Sequence, residues 1–301
     1  MADRVERELQ PADGVDTGGA AAVHAAVAVA REHGLRAEKP VVLRDFTNVI
    51  VRLDPVPLVA RVPMTLSRLR RPEWFALEVR VVAWLAGRGA PVAPPATVVD
   101  PGPHERDGFL VSFWEVAESD DRRFDAAAAG RTLRELHLEL GSCREELPPF
   151  HRLEEIGRLL DLLQPSELAS AEELAGMRQV REILAERPLP PLQPLHGDAH
   201  LRNVLWTATG PLWTDFENLC AGPLEYDLAC ISWRGRSEDA AALDEYGAHD
   251  EALRTEMEPY LALFLAPWTL TIAARHPTAA AVAEARRRVR RALEPLQALE
   301  M

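Results

Sequence analysis

The chain is predicted to be α+β, with a small antiparallel sheet first and a larger, mainly helical part after it. Three observations predict this. β-Branched runs broken by turn residues occupy residues 41–62, where VVLRDFTNVIVRL and LVARV flank the turn-forming LDPVP. From Phe124 onward the apolar residues recur at helical spacing instead. Charge divides at nearly the same place: residues 1–116 carry 14 Arg/Lys against 15 Asp/Glu, and residues 117–301 carry 20 against 32, so −12 of the formal −13 belongs to the second part. A chain of 301 residues, 47% hydrophobic, exceeds the usual size of one domain and supplies apolar surface for two cores.

Taken in order, residues 1–19 contain the loose run PADGVDTGG and read as a mobile leader. An Ala/Val-rich helix follows from Ala20 to His33, stopped by Gly34. The two β-branched runs then make antiparallel strands. Pro72 opens a second helix with Glu73 behind it; Trp74, Leu77, Val81, Val82 and Leu85 recur at helical spacing up to Gly87, and this helix is expected to pack on the sheet. Ala96–Asp100 and Gly108–Val116, separated by PGPHERDG, are expected to complete a five-stranded sheet. Helices are predicted at 124–139, 153–163, 169–185, 224–234, 250–274 and 277–297, interrupted by the proline-rich PLPPLQP and by short strands near 195 and 212. The division is thus a leader (1–19), a sheet lobe (20–112), a hinge (113–117) and a helical lobe (118–301). No repeat of 20–50 residues is visible in the sequence, which argues against a solenoid.

Composition excludes several function classes. A net charge of −13 repels phosphate backbones, so no nucleic-acid partner is expected. No segment offers about 18 unbroken apolar residues and the start lacks a secretory signal, so a soluble, cytoplasmic protein without a membrane partner is expected. Cys143, Cys220 and Cys230 include no CxxC pair and read as reduced, mostly buried thiols.

The densest polar constellation is LHGDAHLRNVLW, residues 195–206, followed by PLWTDFENLCAGPLEYDLA, residues 211–229. Apolar residues flank each polar cluster, which reads as strand ends holding two loops that bring Asp198, Asn203 and Asp215 together. Phosphoryl transfer needs such a set, because its transition state spreads negative charge over phosphate oxygens and catalysis consists mainly of positioning and electrostatic stabilisation. Mg²⁺ takes hard oxygen ligands, which a carboxylate at Asp215 and an amide at Asn203 supply beside a nucleotide's phosphates. The remaining carboxylate, Asp198, is placed to accept a hydrogen bond from a substrate hydroxyl and to receive its proton.

HGDAHLRN, then DFE twelve residues after its Asn, then GPLEYDLA, together resemble the aminoglycoside phosphotransferase and choline kinase family, which shares the protein-kinase-like bilobal fold. The resemblance runs from about residue 41 to 234. It implies a small-molecule kinase using ATP or GTP with Mg²⁺, Asp198 as catalytic base, Asn203 and Asp215 as metal ligands, His196 as a support for the loop, and Asp227 as its brace. RDFTNVIVRL resembles the family's first hairpin, with Thr47 and Asn48 covering the phosphates, although the loop lacks glycine. LVARV matches the strand that normally presents a phosphate-binding lysine; here the residue is Arg61, and the sole lysine, Lys39, precedes the first strand. Its helix partner is implied to be Glu78, seventeen residues on. FLVSFWEV resembles the hinge strand, so the backbone of Trp114, Glu115 and Val116 is implied to meet the adenine edge. GRTLRELHLEL, ending near His137, resembles the helix that begins the larger lobe. Glu217, the third residue of DFE, stands where such families vary, and reads as a supporting residue whose carboxylate suits a contact in the outer shell of the metal or to water.

Two other classes compete. His196, Asp198 and His200 alternate and, with Asp215, suit a metal-dependent hydrolase, but that leaves Asn203, Arg61 and Glu78 unexplained. A kinase-like nucleotide-binding protein without turnover is the third class, opposed by the intact Asp198, Asn203 and Asp215. For the acceptor, residues 238–258 carry eight acidic side chains against Arg254, between Trp233 and Trp268; the run reads first as a solvated face, and otherwise suits a cationic small-molecule acceptor of the aminoglycoside or amino-alcohol type.

Overall fold

Small residues along one side of the first helix set the architecture of the smaller lobe. Helix α1 (Thr17–Glu32) turns Ala22, Ala25, Ala26, Val29 and Ala30 inward, where they meet Val49, Val51, Leu53, Ala60, Val62, Val111 and Phe113 of the sheet in one buried cluster. Short side chains let helix and sheet approach closely, and Gly34, at φ 76°, ends the turn that leads to the first strand. The computed structural model describes residues 17–298 apart from 46, 65–69, 151, 234 and 276. Residues 1–16 of the expected leader therefore lie outside the described residues, whereas the helix already begins within the range assigned to that leader.

The sheet is antiparallel, in the order β1-β2-β3-β5-β4, from β1 (Lys39–Asp45), β2 (Asn48–Asp54), β3 (Leu58–Pro63), β4 (His104–Arg106) and β5 (Phe109–Glu115). Five strands are present, but the fifth is not Ala96–Asp100. Asp107 and Gly108, both at positive φ, form the two-residue turn of a hairpin inside PGPHERDG, so β4 comes from the stretch read as a loop. Residues 94–101 run beside β5 through separate bonds, Ala96 N to Phe113 O, Glu115 N to Pro94 O and Phe113 N to Pro101 O. Pro94, Pro95 and Pro101 have no N–H to extend these into a ladder.

Helix α2 (Pro72–Gly87) does not pack on the sheet as its position suggests. Its buried Leu77, Val81, Val82 and Leu85 join Leu133, Leu136, Trp206, Trp213 and Phe216 of the larger lobe. After α2 the chain continues that attachment, with Ala93 N donating to Trp213 O and Trp213 N to Pro91 O, both of them short backbone bonds.

The larger lobe contains α3 (Ala126–Leu140), α4 (Arg152–Leu162), α5 (Ala171–Ala185), the short strands β6 (Leu192–Leu195), β7 (Val204–Thr207), β8 (Gly210–Trp213) and β9 (Cys220–Pro223), then α6 (Leu224–Ser232), α7 (Ser237–Tyr246), α8 (Glu251–Arg275) and α9 (Ala279–Gln297). Side-chain caps fix several helix starts: Asp125 accepts from Ala128 N, Thr278 accepts from Ala281 N, and Ser170 with Glu173 forms a reciprocal capping box. Helix α7 was not expected. Its sequence, SEDAAALDEY, has too few apolar residues for a periodic stripe, and it is held by Ala242 and Tyr246 against α3. Gly130 makes that contact close, since a Cβ there would run into the Ala242 backbone. Among the described residues, no helix is long and apolar enough to cross a membrane. Cys143 is half-buried, Cys220 and Cys230 are buried, and all three are free thiols.

Candidate active site

Strand pairing brings the two polar loops together. β6 pairs with β9, Leu195 opposite Cys220, and β7 pairs with β8, Val204 opposite Trp213. Residues 196–203 connect β6 to β7, and residues 214–219 connect β8 to β9, so both loops leave from the same ends of two neighbouring ladders. Thr214 N donates to Asn203 O at 2.9 Å, which closes the junction between them.

Within the first loop, Asn203 directs its amide nitrogen at Asp198, 2.9 Å from the main-chain carbonyl and 3.2 Å from Oδ2. This fixes the Asp198 carboxylate, which remains 23% exposed, and leaves the amide oxygen of Asn203 for a cation. His196 is fully buried. Its Nδ1 accepts from Asp198 N, so the proton sits on Nε2, which donates to Thr214 O at 3.0 Å. Burial holds this imidazole below its ordinary pKa against the pull of Asp227 and Asp198, in keeping with the neutral tautomer. Asp227, at the start of α6, accepts from His196 N and Gly197 N, both at 2.8 Å, where Gly197 is at φ 81°. Burial alone would raise the Asp227 pKa; the bond from His137, electrostatic attraction from the His137 and His196 rings and the Gly197 N–H outweigh it and hold the carboxylate below its ordinary range.

Across the cleft, Arg61 of β3 gathers three carboxylates. Its Nη1 lies 2.6 Å from Glu78 Oε1 of α2, its Nη2 is 2.9 Å from Asp215 Oδ1, and Nη2 also bonds Glu217 Oε2. Burial by itself would lower the Arg61 pKa, but Glu78, Asp215 and Glu217 more than offset it and keep the guanidinium charged. The carboxylates respond in the opposite sense. Burial, followed by the charge of Asp215, pushes Glu217 up to about 8 despite Arg61, and burial raises Glu78 as well. Asp215 is 20% exposed and adopts φ 68°, ψ 55°, the left-handed region that a non-glycine residue rarely occupies. With Oδ1 on Arg61, its other oxygen is the end available to a metal. One carboxylate and one amide oxygen form a hard donor set that fits Mg²⁺ beside phosphate oxygens.

The remaining predicted residues are less uniformly placed. Asn48, buried as the first residue of β2, donates to Glu217 Oε2 at 3.2 Å, and half-buried Thr47 gives its carbonyl to Met64 N. Glu115 and Val116 give their N–H groups to Pro94 O and Pro57 O, and are not free donors for a base. The chain crosses between the lobes over 116–120, where Asp120 N donates to Trp206 O and Trp206 N to Ser119 Oγ. Trp114 uses its indole N–H on Ser112.

The hydrolase set does not assemble. Both ring nitrogens of His196 are engaged by backbone, His200 Nε2 stands 3.7 Å from Asp198 Oδ2, and among the described residues no group of three or more His, Cys, Asp or Glu side chains is disposed to hold a metal. The acidic run is also more engaged than its sequence suggests: Glu251 and Glu258 pair with Arg254, Glu258 with Arg291, Glu245 with Arg131, and Asp239 and Asp250 cap helix starts. Trp233 is buried, with Arg291 Cζ covering one face at 3.5 Å from its ring centroid.

Three participants were missed in the sequence. His137 Nε2 donates to Asp227 Oδ2, and its Nδ1 accepts from Tyr246 OH at 3.0 Å. Helical spacing marks His137 only as a residue on the inner side of α3, and its partners are 90 and 109 residues away. Arg70 and Glu155, also unmarked by any spacing, form a buried pair behind the Asp215 loop.

A five-stranded antiparallel sheet joined to a helical lobe, with the polar loops facing Arg61 across the junction, is the protein-kinase-like fold. A family model described as "Phosphotransferase enzyme family" matches residues 30–260, and the chain belongs to that family. Comparison with curated proteins gives no match. Among solved structures, it is similar to the amicoumacin kinase hAmiN in complex with AMP-PNP, Ca²⁺ and Ami (14% identity, TM-score 0.67, covering 89% of this chain and 93% of that one). It is similar also to the choline kinase LicA from Streptococcus pneumoniae (13%, 0.65, 90% and 99%), and to a wild-type aminoglycoside 2'-phosphotransferase-IIIa in its GDP complex (14%, 0.60, 91% and 99%).

Proposed function

We propose that this phosphotransferase moves the γ-phosphoryl group of ATP or GTP onto a hydroxyl of a small, cationic amino-bearing alcohol, and requires Mg²⁺. The observation that carries the reading is the pair of ties converging on one place: Asn203 fixes the Asp198 carboxylate, and Arg61 spans Glu78 and Asp215. Asn203 and Asp215 would hold Mg²⁺, which when bound would supply positive charge to offset the charge that develops during transfer. Asp198 accepts the hydrogen bond of the acceptor hydroxyl, aims its oxygen in line with the phosphorus, and takes the proton late. Arg61, released by triphosphate from part of its carboxylate shell, pairs with phosphate oxygens while Glu78 keeps its guanidinium in place. His196, Gly197 and Asp227 keep the loop rigid and touch no substrate.

Support for a nucleotide and divalent metal comes from the family and from relatives solved with AMP-PNP and Ca²⁺ or with GDP. Support for a cationic acceptor is the −12 charge of the helical part, which draws cations toward this side of the cleft. The test is NDP release from ATP and from GTP, with and without Mg²⁺, over a panel of choline, ethanolamine, kanamycin, an amino sugar and a neutral sugar. Release that depends on both Mg²⁺ and an amino alcohol supports the reading. Release insensitive to chelator, or greatest with the neutral sugar, would overturn the corresponding half.

A further inference from the structure

Arg70 lies at the foot of α2 with its side chain 2% exposed, facing Glu155 of α4, which is 0% exposed. Nη2 of Arg70 donates to both Glu155 oxygens, at 2.9 and 2.7 Å, and to Asn218 Oδ1 at 2.7 Å. Nη1 bonds the main-chain carbonyl of Glu217. Cζ lies 5.4 Å from the ring centroid of Trp74. One guanidinium thus joins α2, α4 and the turn after Asp215, and both of its acceptors on that turn lie within three residues of Asp215.

The burial is not matched by a complete set of bonds, since Arg70 Nε is buried and has no partner. A buried ion pair is in general weak evidence for stability, because desolvation of the two charges opposes their attraction. Geometry supplies the reason for keeping it. Asp215 occupies the left-handed region, which persists in a non-glycine residue only where the surroundings over-determine it. The succeeding turn, Phe216–Asn218, is closed by Leu219 N on Phe216 O; Arg61 and Asn48 hold the Glu217 carboxylate from the sheet side, Phe216 packs on His196, and Arg70 holds the turn from behind through the Glu217 carbonyl and the Asn218 amide oxygen. Glu155, receiving Nη2 on both oxygens, orients the guanidinium so that Nη1 reaches that carbonyl.

We propose that Arg70 and Glu155 are a positioning pair that sets the metal-binding turn and so aims the Asp215 carboxylate at the cation. This rests on the metal reading of Asp215 and adds two residues that touch neither nucleotide nor acceptor. Residues that orient a metal ligand commonly change metal affinity by about 10–100-fold when replaced.

The experiment titrates Mn²⁺, followed by its paramagnetic resonance, into wild type, Arg70→Lys, Arg70→Met and Glu155→Gln with a nonhydrolysable ATP analogue, and records thermal midpoints without metal. Arg70→Met and Glu155→Gln are expected to weaken Mn²⁺ binding about tenfold or more, with metal-free nucleotide affinity unchanged and Arg70→Lys falling between. Should Arg70→Met fail to fold, Glu155→Gln, which keeps the shape but removes the charge and one of the two oxygen acceptors, decides alone. A lowered thermal midpoint with Mn²⁺ affinity within about twofold of wild type would overturn the proposal and leave the pair as packing between α2 and α4. Absence of Mn²⁺ binding in the wild type would instead sink the metal reading itself, and this inference with it.

Discussion

His137 Nε2 lies 2.9 Å from Asp227 Oδ2 in a wholly buried pair, and the same Asp227 oxygen receives the main-chain N–H of His196. A side chain of α3 therefore governs the aspartate that braces the loop carrying Asp198.

Replacing His137 by Phe keeps an aromatic ring but strands the Asp227 carboxylate and the Tyr246 hydroxyl. Loss of a buried bond to a charged group predicts destabilisation of about 1.5–3 kcal/mol. Urea unfolding followed by tryptophan fluorescence measures it, and an unchanged midpoint would show that Asp227 is held by backbone donors alone.

Asp198→Ala is expected to abolish transfer while leaving nucleotide affinity nearly intact, since the carboxylate is directed at the acceptor. Equilibrium binding of the nucleotide analogue, run beside the NDP assay, separates the two. Parallel loss of both in a folded variant would contradict the assignment.

Arg61→Met would leave Glu78, Asp215 and Glu217 together without their shared cation. Removing one side of a buried ion pair predicts a loss of about 3–5 kcal/mol in the metal-free protein. Arg61→Lys should retain much of that stability, yet weaken triphosphate binding more than nucleoside binding, because in a site shaped around a guanidinium the ammonium has fewer donors and no planar fork. Equal effects on nucleoside and triphosphate would remove its phosphate role.

The Glu217 carboxyl gives a pH prediction with a definite sign. Its pKa rises from the model-peptide range to about 8 on folding, so between about pH 4.5 and 8 the folded state binds more protons than the unfolded one. Stability contributed by this group is full at the acid end and declines as pH rises through that window. In Glu217→Gln that portion of the decline should vanish. Thermal midpoints of metal-free protein from pH 5 to 8 report it, and parallel curves for the two proteins would refute the shift. Asp227, held low, acts oppositely: its contribution is present above its unfolded pKa and is lost as pH falls through the folded value.

Gly130→Ala should separate α3 from α7, because its methyl group would enter the Ala242 backbone. Overpacking of this kind predicts about 1–3 kcal/mol of destabilisation, measurable by the same urea titration.

Much of the fold was legible in local pattern. The strands of 39–63, α2 and most large-lobe helices follow directly from β-branched runs, apolar spacing and punctuation by Pro and Gly. The sequence put Asp198, Asn203 and Asp215 in adjoining loops, and the β6–β9 and β7–β8 pairings set those loops side by side. What escaped was whatever needed distant partners. Asp107–Gly108 carried a hairpin signal, but three flanking residues were too short a run to read as a strand. The apolar side of α2 could be recognised, although not which lobe would receive it. Arg70 and Glu155 stand 85 residues apart, each plausible as an ordinary surface charge, and only the folded chain shows them enclosed.

The seating of α2 bears on how the cleft works. Since most of its apolar side is anchored among the large-lobe helices, α2 carries Glu78 as part of that lobe, whereas β3 carries Arg61 as part of the sheet. The 2.6 Å bond between Arg61 and Glu78, with those of Arg61 to Asp215 and Glu217, therefore joins the sheet to the body of the larger lobe at the site itself.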